Sequence, residues 1–185
     1  MQTRARLSTW MSCLLAAIVV ISLFSWLAYR SAEQKRLNGL LVEKAYEGDL
    51  NAVSRALKQG ADPNAMDEQW VPPDAFSRLK SYFSSATKGP TTALMRASIA
   101  GHVEVVRVLL DRGADVNARG DAQHTALMDA MKNGRIEVVR LLISRGADVN
   151  AKNIYGTSTL GYLRWCMPQK QQEMRTILVK AGAHE

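Results

Sequence analysis

With 185 residues, 47% of them hydrophobic, 22% charged and only five prolines, the chain suits one folded domain with an appendage and excludes general disorder. The formal charge is +7, but Arg4, Arg6 and Arg30 account for three of those charges; the other 21 basic residues face 17 acids, a mild +4 excess with no concentrated stripe for nucleic acid. Cys13 and Cys166 lie in different parts of the chain, so no disulfide forms within the soluble part.

The first predicted element follows a short basic tail, residues 1–9. From Trp10 to Tyr29 the chain carries no charge, and these twenty residues are flanked by Arg6 and Arg30. A helix of that length rises about 30 Å, enough for the hydrocarbon core of a bilayer. Trp10, Trp26 and Tyr29 stand near its ends, where amphipathic rings favour the interface. Residues 10–29 therefore predict a transmembrane signal anchor, followed by a juxtamembrane linker at 30–39. A cleaved secretory signal is the alternative, although its apolar core is typically about 7–15 residues and bulky Trp26 sits two before the possible cleavage residue Ala28. Positive charge stands on both sides, Arg4 and Arg6 before the run and Arg30, Lys35, Arg36 and Lys44 after it. The short basic tail looks like a retained leader, which leans toward a single-pass protein with its soluble part outside the cytoplasm.

The soluble part repeats itself. "GADVNA" stands at 113–118 and again at 146–151, a period of 33, and "TAL" recurs at 92–94 and 125–127 with Leu160 a further step on. Within one period, "TALMRASIAGHVEVVRVLLDRGADVNA" reads as two short helices broken at Gly101 and closed at Gly113, with Thr92 and, in the next copy, Thr125 as side-chain caps. Helices this short gain little from propensity, so stacking of neighbouring units must supply the stability.

These residues carry a resemblance. From Leu40 to about Gly182 the chain resembles the ankyrin-repeat family, most closely through "GHVEVVRVLLDRGADVNA". The resemblance implies an all-α ankyrin-repeat solenoid of about four helix-turn-helix units, at 40–65, 91–118, 124–151 and 157–185, within a domain spanning 40–182. The repeated hexapeptide would then be the helix-closing turn and the start of a finger loop. Three departures are systematic or local: Ala93, Ala126 and Thr159 stand where the family has proline, Met95, Met128 and Gly161 where it has histidine, and the last unit has three extra residues near Pro168, expected to lengthen its interhelical turn.

Between the first and second units, residues 66–90 form an insertion that adds Trp70, Phe76, Tyr82 and Phe83, with Asp74 able to cap a short helix. Either this segment offers aromatic anchors to a partner or it folds back over the first unit. Arg107 with Arg140, Arg112 with Arg145, and Arg119 with Lys152 recur at the repeat step. They suit short basic ladders for an acidic ligand, or simply solvated faces, the more usual outcome. His102, by resemblance the turn histidine, is structural; His124 lies in a finger loop and His184 in the tail, with no metal-ligand or nucleophile pattern, and Cys166 reads as an apolar filler.

The sequence thus predicts a membrane-anchored, non-catalytic scaffold that binds a protein partner, with no cofactor, metal, nucleic acid or small-molecule substrate. The resemblance places the contacts on finger loops and inner helices: first Trp70, Phe76, Tyr82 and Phe83, then Arg119, Asp121, His124, Lys152 and Tyr155. A secreted soluble array is the alternative, and an enzyme with an unrecognised site around Cys166 and His184 is a lesser one.

Overall fold

The computed structural model describes the backbone of residues 2–67 and 90–184 and the side chains of 18–67 and 90–184. The chain divides into two compact units, residues 1–36 and 37–185. Helix α1 runs Gln2–Glu47 without a break, so the expected linker at 30–39 is helical, and the repeat core begins at Leu37 rather than Leu40. The reason lies in the sequence: 30–39 holds no proline, its glycine is followed by strong helix formers, and Leu37, Leu41, Val42 and Ala45 lie at helical spacing on a face that is buried. Among the described residues no helix is long and apolar enough to cross a membrane; the side chains of 10–17, eight residues of the predicted span, lie outside that description.

The second unit is a stack of helix pairs. The end of α1 and α2 (Leu50–Lys58) form the first pair, α3 (Ala93–Ala100) and α4 (Val103–Asp111) the second, and α5 (Ala126–Lys132) and α6 (Ile136–Ser144) the third. A 3₁₀ helix at Leu160–Trp165 and α7 (Pro168–Lys180) form the fourth. Inner elements pack on inner elements and outer helices on outer helices. The inner helices read "ALMRASIA" and "ALMDAMK": Ala93, Ala97, Ala126 and Ala130 let backbones approach closely while Leu94, Met95, Leu127 and Met128 fill the gaps, and all eight are buried. Outer helices bury one stripe only, Val105, Val106 and Leu109 in α4 and Val138, Val139, Leu141 and Leu142 in α6.

The repeated hexapeptide joins the units. Gly113 and Gly146 take φ of 87° and 86°, conformations that side-chained residues reach at a cost, and so end the outer helices. Asp115 and Asp148 then accept a bond from the backbone N–H of Asn117 and Asn150, both at 2.9 Å, which turns each asparagine toward the next unit. There Asn117 donates to the Gly146 carbonyl at 3.2 Å and accepts from the Asp148 N–H at 2.8 Å; Asn150 does the same with Gly182 at 3.2 Å and His184 at 3.0 Å. Asn64 clamps Gly113 and Asp115 in the same way, although 53 residues separate Asn64 from Asn117. The insertion does not interrupt the stack because its base is closed by an antiparallel pair, β1 (Met66–Asp67) with β2 (Thr91–Thr92), in register Met66 to Thr92. Its residues 68–89 lie outside the described residues.

Inner elements begin alike. Thr92 and Thr125 accept from the Met95 and Met128 N–H at 3.3 Å, as expected of caps, and Ser158 does so for Gly161 at 3.3 Å. The fourth unit differs from expectation after that point. Its inner element is a 3₁₀ helix, and the extra residues extend the outer helix instead of the turn: α7 has 13 residues where α4 and α6 have 9, and it opens on Pro168. Proline suits the first helical position, where its missing N–H has no partner to lose.

Candidate functional site

The 33-residue step places Arg96, Asp129 and Tyr162 at the same position of three successive inner elements, and all three are buried at 2%, 9% and 2% exposure. Apolar residues fill most neighbouring positions, so this is a polar column through the core that stacking creates. Arg96 donates through Nε to Thr91 Oγ1 at 2.9 Å. Burial pushes its guanidinium down to about 10, against the opposing pull of the Asp129 and Asp67 carboxylates. Burial likewise raises the Tyr162 hydroxyl, partly offset by its hydrogen bond from Asn153.

His124 joins the column from the finger loop of the second and third units. Its Nε2 lies 2.7 Å from the Tyr162 hydroxyl and its Nδ1 3.6 Å from Asp129 Oδ1, with the two rings edge-on at 85°. Asn153 Nδ2 donates to the same hydroxyl at 2.9 Å, while Asn153 Oδ1 accepts from the N–H groups of Tyr155 and Thr157, both at 2.9 Å. These contacts tie the third finger loop onto the second through the Asn153, Tyr162 and His124 side chains. Loop backbones meet directly as well, the Ile154 N–H donating to the Ala122 carbonyl at 3.1 Å. Ala122 and Gln123 hold φ of 49° and 61°, a strained left-handed pair that only such surroundings maintain.

Above this column lies a recess of about 220 Å³ between inner helices and finger loops, with Met95, Ile99, Asp121, His124, Asp129 and Tyr155 in its walls. Three of the five sequence-predicted loop residues, Asp121, His124 and Tyr155, meet here, and Tyr155 is 76% exposed at the rim. Arg119 instead donates to the Lys152 carbonyl at 2.9 Å, which ties loop to loop. Lys152 pairs with Ser158 across the base of the third loop and keeps an exposed side chain. Trp70, Phe76, Tyr82 and Phe83 lie outside the described residues.

The basic ladders are solvated faces crossed by ion pairs: Arg107 lies 3.4 Å from Glu104, Arg140 reaches Glu173 at 2.9 Å and Arg145 reaches Asp111 at 2.8 Å. His102 is structural, its Nε2 3.0 Å from the Tyr46 carbonyl; Arg135 and Lys170 occupy equivalent places, on the Ile99 and Gly134 carbonyls at 2.9 and 3.0 Å. Cys166 is buried, its thiol 3.5 Å from the Met174 sulfur. Among the described residues no group of His, Cys, Asp and Glu is placed to hold a metal. The column itself was missed in the sequence, where Arg96, Asp129 and Tyr162 share no chemistry; the signal was a polar residue recurring at one repeat position amid apolar neighbours.

Residues 41–153 match the family model described as ankyrin repeats in three copies. Among curated proteins, the mouse (Mus musculus) ankyrin repeat and SAM domain-containing protein 6 is similar, 37% identical over 87 residues that cover 43% of this chain and 10% of that protein. The chain therefore spans about a tenth of the length of that relative.

Proposed function

Because the chain belongs to the ankyrin-repeat family, we propose that it is a non-catalytic scaffold that holds a protein partner in the recess between its inner helices and finger loops, and that residues 10–29 tether it to a bilayer. The observation that carries the partner site is the Tyr155 ring, exposed at the rim of a recess whose floor is fixed by the Asp129, His124 and Tyr162 chain. Aromatic rims over preorganised polar floors are where binding energy concentrates, because little ordering remains to be done on association. A photo-crosslinking residue at position 155 is expected to capture the partner, while the same residue at Glu104 on α4 is not. Tyr155→Ala should then weaken that partner by roughly tenfold or more. Equal capture at both positions sinks the recess as the site. Replacing 68–89 by a short Gly/Ser loop tests the aromatic insertion separately, since unchanged affinity removes it from the interface.

Support for the tether comes from α1. Ile18, Val19, Ile21, Leu23, Phe24, Trp26 and Leu27 are each more than half exposed, on all sides of a helix that carries no charge between Ile18 and Tyr29. Water does not stabilise such a surface, and lipid does. At its end the Arg30 guanidinium lies 5.2 Å from the Trp26 ring centre, an arrangement suited to the interface. The full chain should remain with membranes after alkaline extraction, and a reporter after Glu185 should be active outside the cytoplasm. Release of a shortened chain with a new N-terminus near position 29 would establish the secreted form instead.

A further inference from the structure

A second recess, of about 390 Å³, opens on the fourth unit between the 3₁₀ helix and α7, with Leu160, Leu163, Arg164, Gln171 and Arg175 among its walls. Two arginines converge on it without an acid. Arg140 and Arg145 are each neutralised across units by Glu173 and Asp111, whereas Arg164 and Arg175 share this recess with no acid in its walls and no carboxylate partner among the described residues. Arg164 is also held in place, its Nε donating to the Gly161 carbonyl at 3.3 Å and its guanidinium 4.8 Å from the Trp165 ring centre. A guanidinium oriented by its own backbone and a ring has lost part of its rotamer entropy already, which favours a bound carboxylate. Gln171 is fixed likewise by its bond to the Cys166 carbonyl at 2.9 Å. Leu160 and Leu163 give the same recess an apolar side, and Trp165 and Met167, in the adjoining segment, are 49% and 66% exposed.

We propose that this recess binds an acidic peptide segment of a protein partner, with a carboxylate between Arg164 and Arg175 and an adjacent aliphatic side chain against Leu160 and Leu163. Two cations beside apolar walls complement an alternation of acidic and aliphatic residues, and the volume far exceeds that of a lone oxyanion. The two recesses share no wall residue.

The test uses the full chain in detergent micelles and a labelled peptide, Leu-Glu-Leu-Glu-Leu, alongside its Leu-Gln-Leu-Gln-Leu counterpart, read by fluorescence anisotropy. Saturable binding of the acidic peptide is expected, at least roughly tenfold tighter than the glutamine form and weakening as salt rises. R164Q and R175Q should each weaken it by about three- to tenfold, and the double variant should abolish it, while R112Q, on an exposed helix end of the second unit, changes nothing. Arg175→Glu should exchange the preference for a Leu-Lys-Leu-Lys-Leu peptide, a gain that a misfolded variant cannot give. Absence of saturable binding overturns the proposal, and so does equal weakening by R112Q, which means diffuse surface charge. Competition by free glutamate or inorganic phosphate as strong as the peptide reassigns the recess to small anions and also overturns it. Loss of peptide binding in Tyr155→Ala means the peptide sits at the finger loops; loss of the crosslinked partner there with peptide binding intact separates the two sites.

Discussion

The third and fourth units reach the same junction by different routes. Both are clamped at the turn by an asparagine, Asn117 onto Gly146 and Asn150 onto Gly182, at the same 3.2 Å. Between those junctions the third unit uses a seven-residue α-helix and a nine-residue one, while the fourth uses a 3₁₀ helix and a helix of 13 residues. What the array conserves is therefore the hydrogen-bonded turn and the apolar stripe, and the helix type between them adjusts. Tyr162, its ring centre 5.0 Å from that of Trp165, stands in the fourth unit where the smaller Asp129 stands in the third.

Four perturbations test that contrast, in order of expected size. Leu142 and Leu178 hold equivalent outer-helix positions and both are 0% exposed. Leu142→Ala should cost about 2–5 kcal/mol in urea unfolding followed by circular dichroism, and Leu178→Ala less, because its unit packs on fewer described neighbours. Equal losses would mean the two junctions are energetically alike.

Glycine replacements come next. At Gly146 a Cβ meets nothing within 4 Å, so Gly146→Ala carries only the φ cost, about 1–2 kcal/mol; at Gly48 it meets the His102 ring at 2.5 Å as well, and Gly48→Ala should be the more damaging of the two. A smaller loss at Gly48 than at Gly146 shows that the His102 ring moves aside freely.

Asn117→Ala and Asn150→Ala each remove two exposed cross-unit bonds and should cost about 1–2 kcal/mol apiece. Similar values are the strongest support for a common junction.

The smallest effect concerns Tyr162. Its hydroxyl is raised by burial, so the neutral form is favoured in the folded chain; that contribution is complete below the ordinary tyrosine value near 10 and is lost as pH rises above it. The melting temperature should fall more steeply above about pH 10 in the native chain than in Tyr162→Phe. Tyr162→Phe should itself cost about 1 kcal/mol at neutral pH, from the bonds to His124 and Asn153.

Sequence alone determined the period and, in the second and third units, the helix ends and the caps, since φ-positive glycines, the Asp-to-Asn turn and the Thr92 and Thr125 caps are local chemistry written within a few residues. Through the ankyrin resemblance it also placed Asp121, His124 and Tyr155 in finger loops. Tertiary structure alone decided what those residues touch. Tyr162 lies 38 residues from His124, and Arg96 and Asp129 become neighbours only when inner helices stack. It also decided the fate of the charges, pairing Arg140 and Arg145 across units while leaving Arg164 and Arg175 beside an acid-free recess. Contacts within a turn are set by backbone angles that one or two residues control, whereas contacts between units depend on which side chains fill the shared space, and that is settled only when the units pack.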